Sequence, residues 1–134
     1  RKESSAASDV YKRQGEYANT LDIKRGGTAA VVQMARLYSI VAGVSAVDTP
    51  TRLRASAGEA VSTKGASDLA DAYEYLSDLV MKHQSQQVRA GEEPNYRIDP
   101  KQLQSLDRAA LRDAFGVIKS LQNALASKYP TRAV

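Results

Sequence analysis

The stretch 21-LDIKRGGTAAVVQMARL-37 decides how the chain folds, because an alternating segment there meets two cations, two glycines and a threonine, then turns apolar. Leu21 and Ile23 alternate with Asp22 and Lys24, the period of a strand, and the pattern reaches back to Tyr17. Gly26 and Gly27 loosen the backbone, and the Thr28 hydroxyl is a candidate N-cap for a helix over 29–42. In that helix Val31, Val32, Met34, Ala35, Leu37, Tyr38, Ile40 and Val41 leave a narrow polar line through Gln33, Arg36 and Ser39, which predicts burial on most sides. Gly43 marks its end. No second strand pattern follows, so the segment 17–24 is expected to pair with a sheet outside this chain or to lie as an extended arm.

Downstream the pattern is helical. Asp48 or Thr49 caps a short second helix with Pro50 in its first turn and a thin apolar stripe of Leu53, Ala57, Ala60 and Val61. Residues 62–65 read as a turn. Ser67 reads as the N-cap of a long third helix over 67–90, with Asp68 and Asp71 near the positive end of its dipole and Leu69, Tyr73, Leu76 and Val80 on its apolar face. The segment 91-GEEPN-95 ends it, and Asp99-Pro100 opens a helical turn or leads into the last helix. Ser105 can cap that helix, whose buried stripe is Leu111, Ala114, Phe115, Ile118, Leu121 and Leu125. The expected fold is all-α: an antiparallel bundle of about four main helices over 28–134, with a short extended N-terminal lead-in strand and junction over 15–27.

The 134 residues, 43% hydrophobic, suit one core. Without Cys and with one His, thiolate zinc sites, disulfides and cysteine nucleophiles are excluded. The most apolar segment, 29–47, is broken by Gln33, Arg36 and Ser39, and no signal-peptide pattern precedes it. A soluble, cytoplasmic protein with no membrane partner is expected. The net charge of +4 is half owed to residues 1–14, which carry four basic and two acidic groups. That tail shows neither helical nor strand period, and 5-SAASDVYKRQ-14 resembles a translated library adaptor, so 1–14 is expected to be non-native or disordered. Arg52, Arg54, Arg108, Arg112 and Lys119 are spread over two helices without interleaved aromatics, which argues against a nucleic-acid groove.

Three features carry candidate chemistry. Lys24, Arg25, Gly26 and Gly27 stand before a helix N-terminus, where free N–H groups and cations can hold an anion. Their spacing matches neither the P-loop nor the dinucleotide fingerprint, and a strand-to-helix turn with solvated charges is the simpler reading. His83, beside Gln84, lies on the apolar register of the third helix; a lone imidazole suits a hydrogen-bonded packing role better than catalysis or metal binding. Asp71, Glu74 and Asp78 share one helix face and could hold magnesium or a basic ligand, but a solvated face running on to Lys82 accounts for them as well. No metal site is expected in this chain.

The stretches 21-LDIKRGG-27, 51-TRLRA-55, 68-DLADAYEYL-76, 82-KHQ-84, 91-GEEPNYRIDP-100 and 106-LDRAALRDAF-115, in this order and over about 15–133, resemble the C-terminal helical substrate-binding domain of bacterial nucleotidyltransferases. These proteins often carry CBS and cyclic-nucleotide-binding modules and are related to the PII uridylyltransferases and glutamine synthetase adenylyltransferases, a setting of bacterial signal transduction. The resemblance implies an upstream polymerase-beta-like domain that transfers a nucleotide from a magnesium-bound nucleoside triphosphate to an acceptor, which could be a protein. It implies for this chain the role of orienting the substrate. Neither the Gly-Ser nor the Asp-x-Asp pair of the catalytic domain occurs here, so the chain alone is expected to be inactive. Under the resemblance 15–27 leaves the catalytic sheet, and Lys24 and Arg25 lie at the domain junction near the nucleotide phosphates; His83 and Gln84 are structural or acceptor-side polar groups. Two departures from the family pattern stand at 28-TAAVVQMARL-37 and at Arg97. The competing reading is a free-standing helical interaction module with no enzymatic role.

Overall fold

In the computed structural model, which describes residues 19–129, the chain runs through β1 (Leu21–Asp22), a single π-helical turn (Lys24–Thr28), α1 (Ala29–Ala42), α2 (Thr49–Ser56), α3 (Thr63–Arg89), β2 (Arg97–Ile98), a 3-10 turn (Pro100–Gln102) and α4 (Ser105–Lys128). This is the four-helix, all-helical bundle with a short lead-in strand that the sequence predicts. The tail 1–14 and the expected start of the strand at Tyr17 lie outside the described residues.

The strand finds its partner inside the chain, which corrects the expectation of an external sheet or a free arm. β1 runs antiparallel to β2, with Leu21 opposite Ile98 and Asp22 opposite Arg97, and the Ile23 amide donates to the Tyr96 carbonyl at 2.9 Å. A two-residue strand is too short to show alternation.

The helix also starts earlier than Thr28. The Asp22 carboxylate accepts from the amides of Lys24 and Arg25, each at 3.0 Å, and the Thr28 amide donates back to the Ile23 carbonyl at 3.1 Å in a π-type bond. Thr28 itself has helical φ/ψ of −59° and −40° and makes no side-chain cap. The Lys24–Thr28 turn therefore runs straight into α1. α1 ends as expected at Gly43, left-handed at φ 71°, with the Gly43 and Val44 amides bonded to the carbonyls of Ile40 and Ser39.

The polar line of α1 is displaced from the expected one. Ser39 is buried, its hydroxyl donating to the Arg36 carbonyl at 2.8 Å, whereas Ile40 is 74% exposed. Ile40 lies two turns beyond Gln33 on the same face, and Ser39 can go inside because its own helix satisfies it.

α2 is capped by Asp48, which accepts from the Thr51 amide at 3.1 Å and the Thr51 hydroxyl at 2.9 Å. Ala57 leaves the helix with ψ 133°, so Ala60 and Val61 reach the core from a turn closed by the Gly58 amide on the Val61 carbonyl at 2.7 Å. α3 begins at Thr63, not after Ser67: the Ser62 hydroxyl accepts from the Gly65 amide at 2.9 Å. The expected turn at 62–65 is thus the cap and first turn of the helix. A Cβ on Gly65 would stand 3.2 Å from both Leu121 and Val61, so glycine serves close packing there, a use that reads in sequence as a turn signal.

Asp99 caps the 3-10 turn through the Lys101 amide at 3.0 Å. Ser105 sits in the first turn of α4, preceded by Gln104 with no side-chain cap; Arg108 instead donates to the Leu103 carbonyl at 2.6 Å and the Ser105 hydroxyl at 3.2 Å. α1 packs on α2, α2 on α3, and α3 on α4, while the π-turn touches both α3 and α4. Ile23, Val31, Met34, Leu53, Leu69, Leu76 and Ile118 are essentially fully buried, each contributing about 1.5–3 kcal/mol of transfer free energy. The Tyr75 hydroxyl donates to the Asp107 carbonyl at 3.0 Å, tying α3 to the start of α4, and burial, with the Asp107 charge second, pushes that phenol above its ordinary pKa.

Candidate functional site

At the junction, two of the backbone donors that an anion would use are already engaged. The Asp22 carboxylate holds the Lys24 and Arg25 amides, so the helix N-terminus is neutralised from within. Gly27 is buried, and a Cβ there would lie 3.0 Å from Leu76 Cδ1 and 3.4 Å from Phe115 Cζ. Its lack of a side chain lets the turn wedge against α3 and α4, which anchors this segment rather than leaving it a loose connection. What the junction offers a ligand is the side chains of Lys24 and Arg25, both exposed.

His83 and Gln84 lie half-buried on α3 and fasten one residue, Asn95. His83 Nε2 is 3.4 Å from Asn95 Oδ1, Gln84 donates to the Asn95 carbonyl at 3.1 Å, and the Asn95 amide donates to Gln87 Oε1 at 2.9 Å. Asn95 Oδ1 also accepts from the Arg97 amide at 2.9 Å. The segment 95–97 is therefore pinned to α3 on one side and to β1 on the other.

Tyr96 and Arg97, on this pinned segment, carry the link to the junction. Arg97 forms an ion pair with Asp22 at 3.8 Å, both side chains largely withdrawn from solvent. Lys24 Nζ lies 5.1 Å from the centroid of the Tyr96 ring. The fold thus draws 21-LDIKRGG-27, 82-KHQ-84 and 94-PNYRID-99 into one assembly. Sequence reasoning picked out Lys24, Arg25, His83 and Gln84 but not Asn95, Tyr96 or Arg97. The available signal was the pair of amide side chains at Gln84 and Gln87, one helical turn apart, followed by Pro94-Asn95, a helix face with donors and acceptors for a returning segment.

A separate concave region lies about 14 Å back along α3 from His83, at 1.5 Å per residue, away from the junction. It is an open groove of about 700 Å³ whose lining includes Arg54, Asp71, Tyr73, Glu74, Ser77 and Asp78. Among the described residues no three His, Cys, Asp or Glu side chains gather closely enough to hold a metal ion. No described helix is long and apolar enough to cross a membrane.

No curated protein and no solved structure matches the chain. A family model described as "Putative nucleotidyltransferase substrate binding domain" matches residues 9–129, nearly the whole length. The chain accordingly belongs to this family of substrate-binding domains associated with nucleotidyltransferases.

Proposed function

We propose that this chain is the non-catalytic, substrate-positioning part of a nucleotidyltransferase, in which an upstream domain moves a nucleoside monophosphate from a triphosphate to an acceptor. The observation that carries this reading is the family match over residues 9–129. The absence of Gly-Ser and Asp-x-Asp from the sequence agrees with it, since the metal-binding chemistry then belongs to the other domain. Lys24 and Arg25 would face the phosphates of the bound triphosphate. Asp22 and Arg97 neutralise one another beside them, and no carboxylate pairs with the Lys24 or Arg25 side chain among the described residues, so their charge is available for charge-assisted contacts. Holding the triphosphate relative to the acceptor lowers the barrier by orientation, without the domain touching the breaking bond. When bound in the upstream domain, magnesium would supply the charge neutralisation at the phosphates. CBS or cyclic-nucleotide-binding modules and a protein acceptor would be the partners, in a bacterial cytoplasm.

The test is transfer of label from a radiolabelled nucleoside triphosphate by this chain alone and by the same chain joined to its upstream reading frame. Label transfer by the joined protein and none by the chain alone is expected. An upstream frame without a Gly-Ser and Asp-x-Asp pair, or transfer indifferent to removal of residues 15–134, overturns the reading. The second reading, an interaction module, draws on exposed Ile40, Val41 and Val47 near the end of α1; it predicts an upstream frame with no nucleotidyltransferase domain.

A further inference from the structure

Tyr96 is an aromatic side chain 38% exposed to solvent on a backbone that is held at both neighbours. Asn95 before it is fixed to α3 by His83, Gln84 and Gln87. Arg97 after it pairs with Asp22, and the Tyr96 carbonyl itself accepts from the Ile23 amide. An exposed ring needs no such fastening to stay folded, and a ring carried on a backbone so held has less entropy to lose when something stacks on it. The Lys24 ammonium covers the ring at 5.1 Å. At an exposed site that cation–π contact is weak, whereas the same ammonium gains more from a phosphate oxygen. A ligand with an anion at one end and a flat π-system at the other can therefore exchange with Lys24, taking the ring while the lysine turns to the anion.

We propose that Tyr96 is the nucleobase platform of the positioning site: the base stacks on the Tyr96 ring, and Lys24 and Arg25 take the phosphates. The inference rests on the proposed function and extends it to a residue for the base. Because stacking tolerates every base, the platform gives affinity with little discrimination among nucleoside triphosphates.

The experiment is an NMR titration of the 134-residue chain with ATP and, separately, with inorganic tripolyphosphate, on the wild type, Tyr96→Phe, Tyr96→Ala and a Lys24→Ala/Arg25→Ala double variant. Both ligands are expected to move the Lys24 and Arg25 amides, and only ATP to move the Tyr96 ring protons upfield through the base ring current. Tyr96→Phe keeps the ATP affinity, Tyr96→Ala loses about fivefold or more of it with tripolyphosphate affinity unchanged, and the double variant loses both ligands. Equal ATP affinity in Tyr96→Ala and wild type overturns the platform, as does an equal loss of ATP and tripolyphosphate in Tyr96→Ala, which would mark a merely structural role. In either case a double variant that still loses both ligands leaves the phosphate contact standing. If neither ligand moves the Lys24 and Arg25 amides, the phosphate contact and the platform both fall.

Discussion

Replacing Gly27 by alanine separates the two readings of the glycine pair. The added Cβ would stand 3.0 Å from Leu76 Cδ1 and 3.4 Å from Phe115 Cζ, and Leu76 is fully buried, so it cannot swing aside without disturbing the core. Alanine in a helical turn gains about 0.8–1 kcal/mol over glycine, while overpacking a filled site costs about 1–3 kcal/mol. Gly27→Ala should therefore be neutral to about 2 kcal/mol destabilising. Gly116 provides the control. It lies exposed in α4, and a Cβ added there would meet nothing within 4 Å, so Gly116→Ala should stabilise by about 0.5–1 kcal/mol. Urea unfolding followed by circular dichroism reads both, and in thermal melts the two variants should separate by several degrees, at roughly 3–6 °C per kcal/mol for a chain of this size. If Gly27→Ala stabilises as much as Gly116→Ala, the turn is not wedged against α3 and α4 and the packing account of Gly27 is wrong.

Two further substitutions test the caps, and each has its own readout. Asp22→Ala removes the carboxylate that holds the Lys24 and Arg25 amides and pairs with Arg97; a loss of about 1–2 kcal/mol is expected in chemical denaturation, with faster hydrogen exchange at Lys24 and Arg25. Unchanged exchange there would remove Asp22 as the cap. Asp48 is held below the ordinary carboxylate range by the Thr51 hydroxyl first and the Thr51 amide next. A carboxylate lowered on folding stabilises the native state in full above its unfolded pKa and loses that contribution as pH falls through the lowered folded value. Stability should thus drop more between neutral pH and about pH 3 in the wild type than in Asp48→Asn, and equal drops in denaturation midpoint would contradict it.

The helical periods were legible because each amphipathic face repeats over many residues, so α1, α3 and α4 could be placed from stripes that include Val31, Met34, Leu69, Leu76, Leu111 and Ile118. What misled was local chemistry with two uses. Gly65 and Gly26-Gly27 signal a turn or an anion cradle in sequence, yet they lie in helical turns, Gly65 and Gly27 where another helix comes too close for a side chain. Ser67 and Thr28 are good cap residues, but Ser62 and Asp22 upstream had claimed the amides. The proposed junction site was half legible. Lys24 and Arg25 announce themselves by charge, whereas Tyr96 is brought beside them by β2, a pairing only two residues long, and by Asn95, whose bonds to α3 span eight to twelve residues of sequence.

The central claim is that this domain positions substrate through Lys24 and Arg25 while taking no part in the chemistry. Steady-state nucleotidyl transfer by the full-length protein, with and without Lys24→Ala/Arg25→Ala and with the unfolding midpoint measured alongside, tests it. A fall of about tenfold or more in kcat/KM for the nucleoside triphosphate, the scale of losing a charge-assisted phosphate contact, at unchanged stability is the predicted result. Unchanged kcat/KM in the double variant would contradict it.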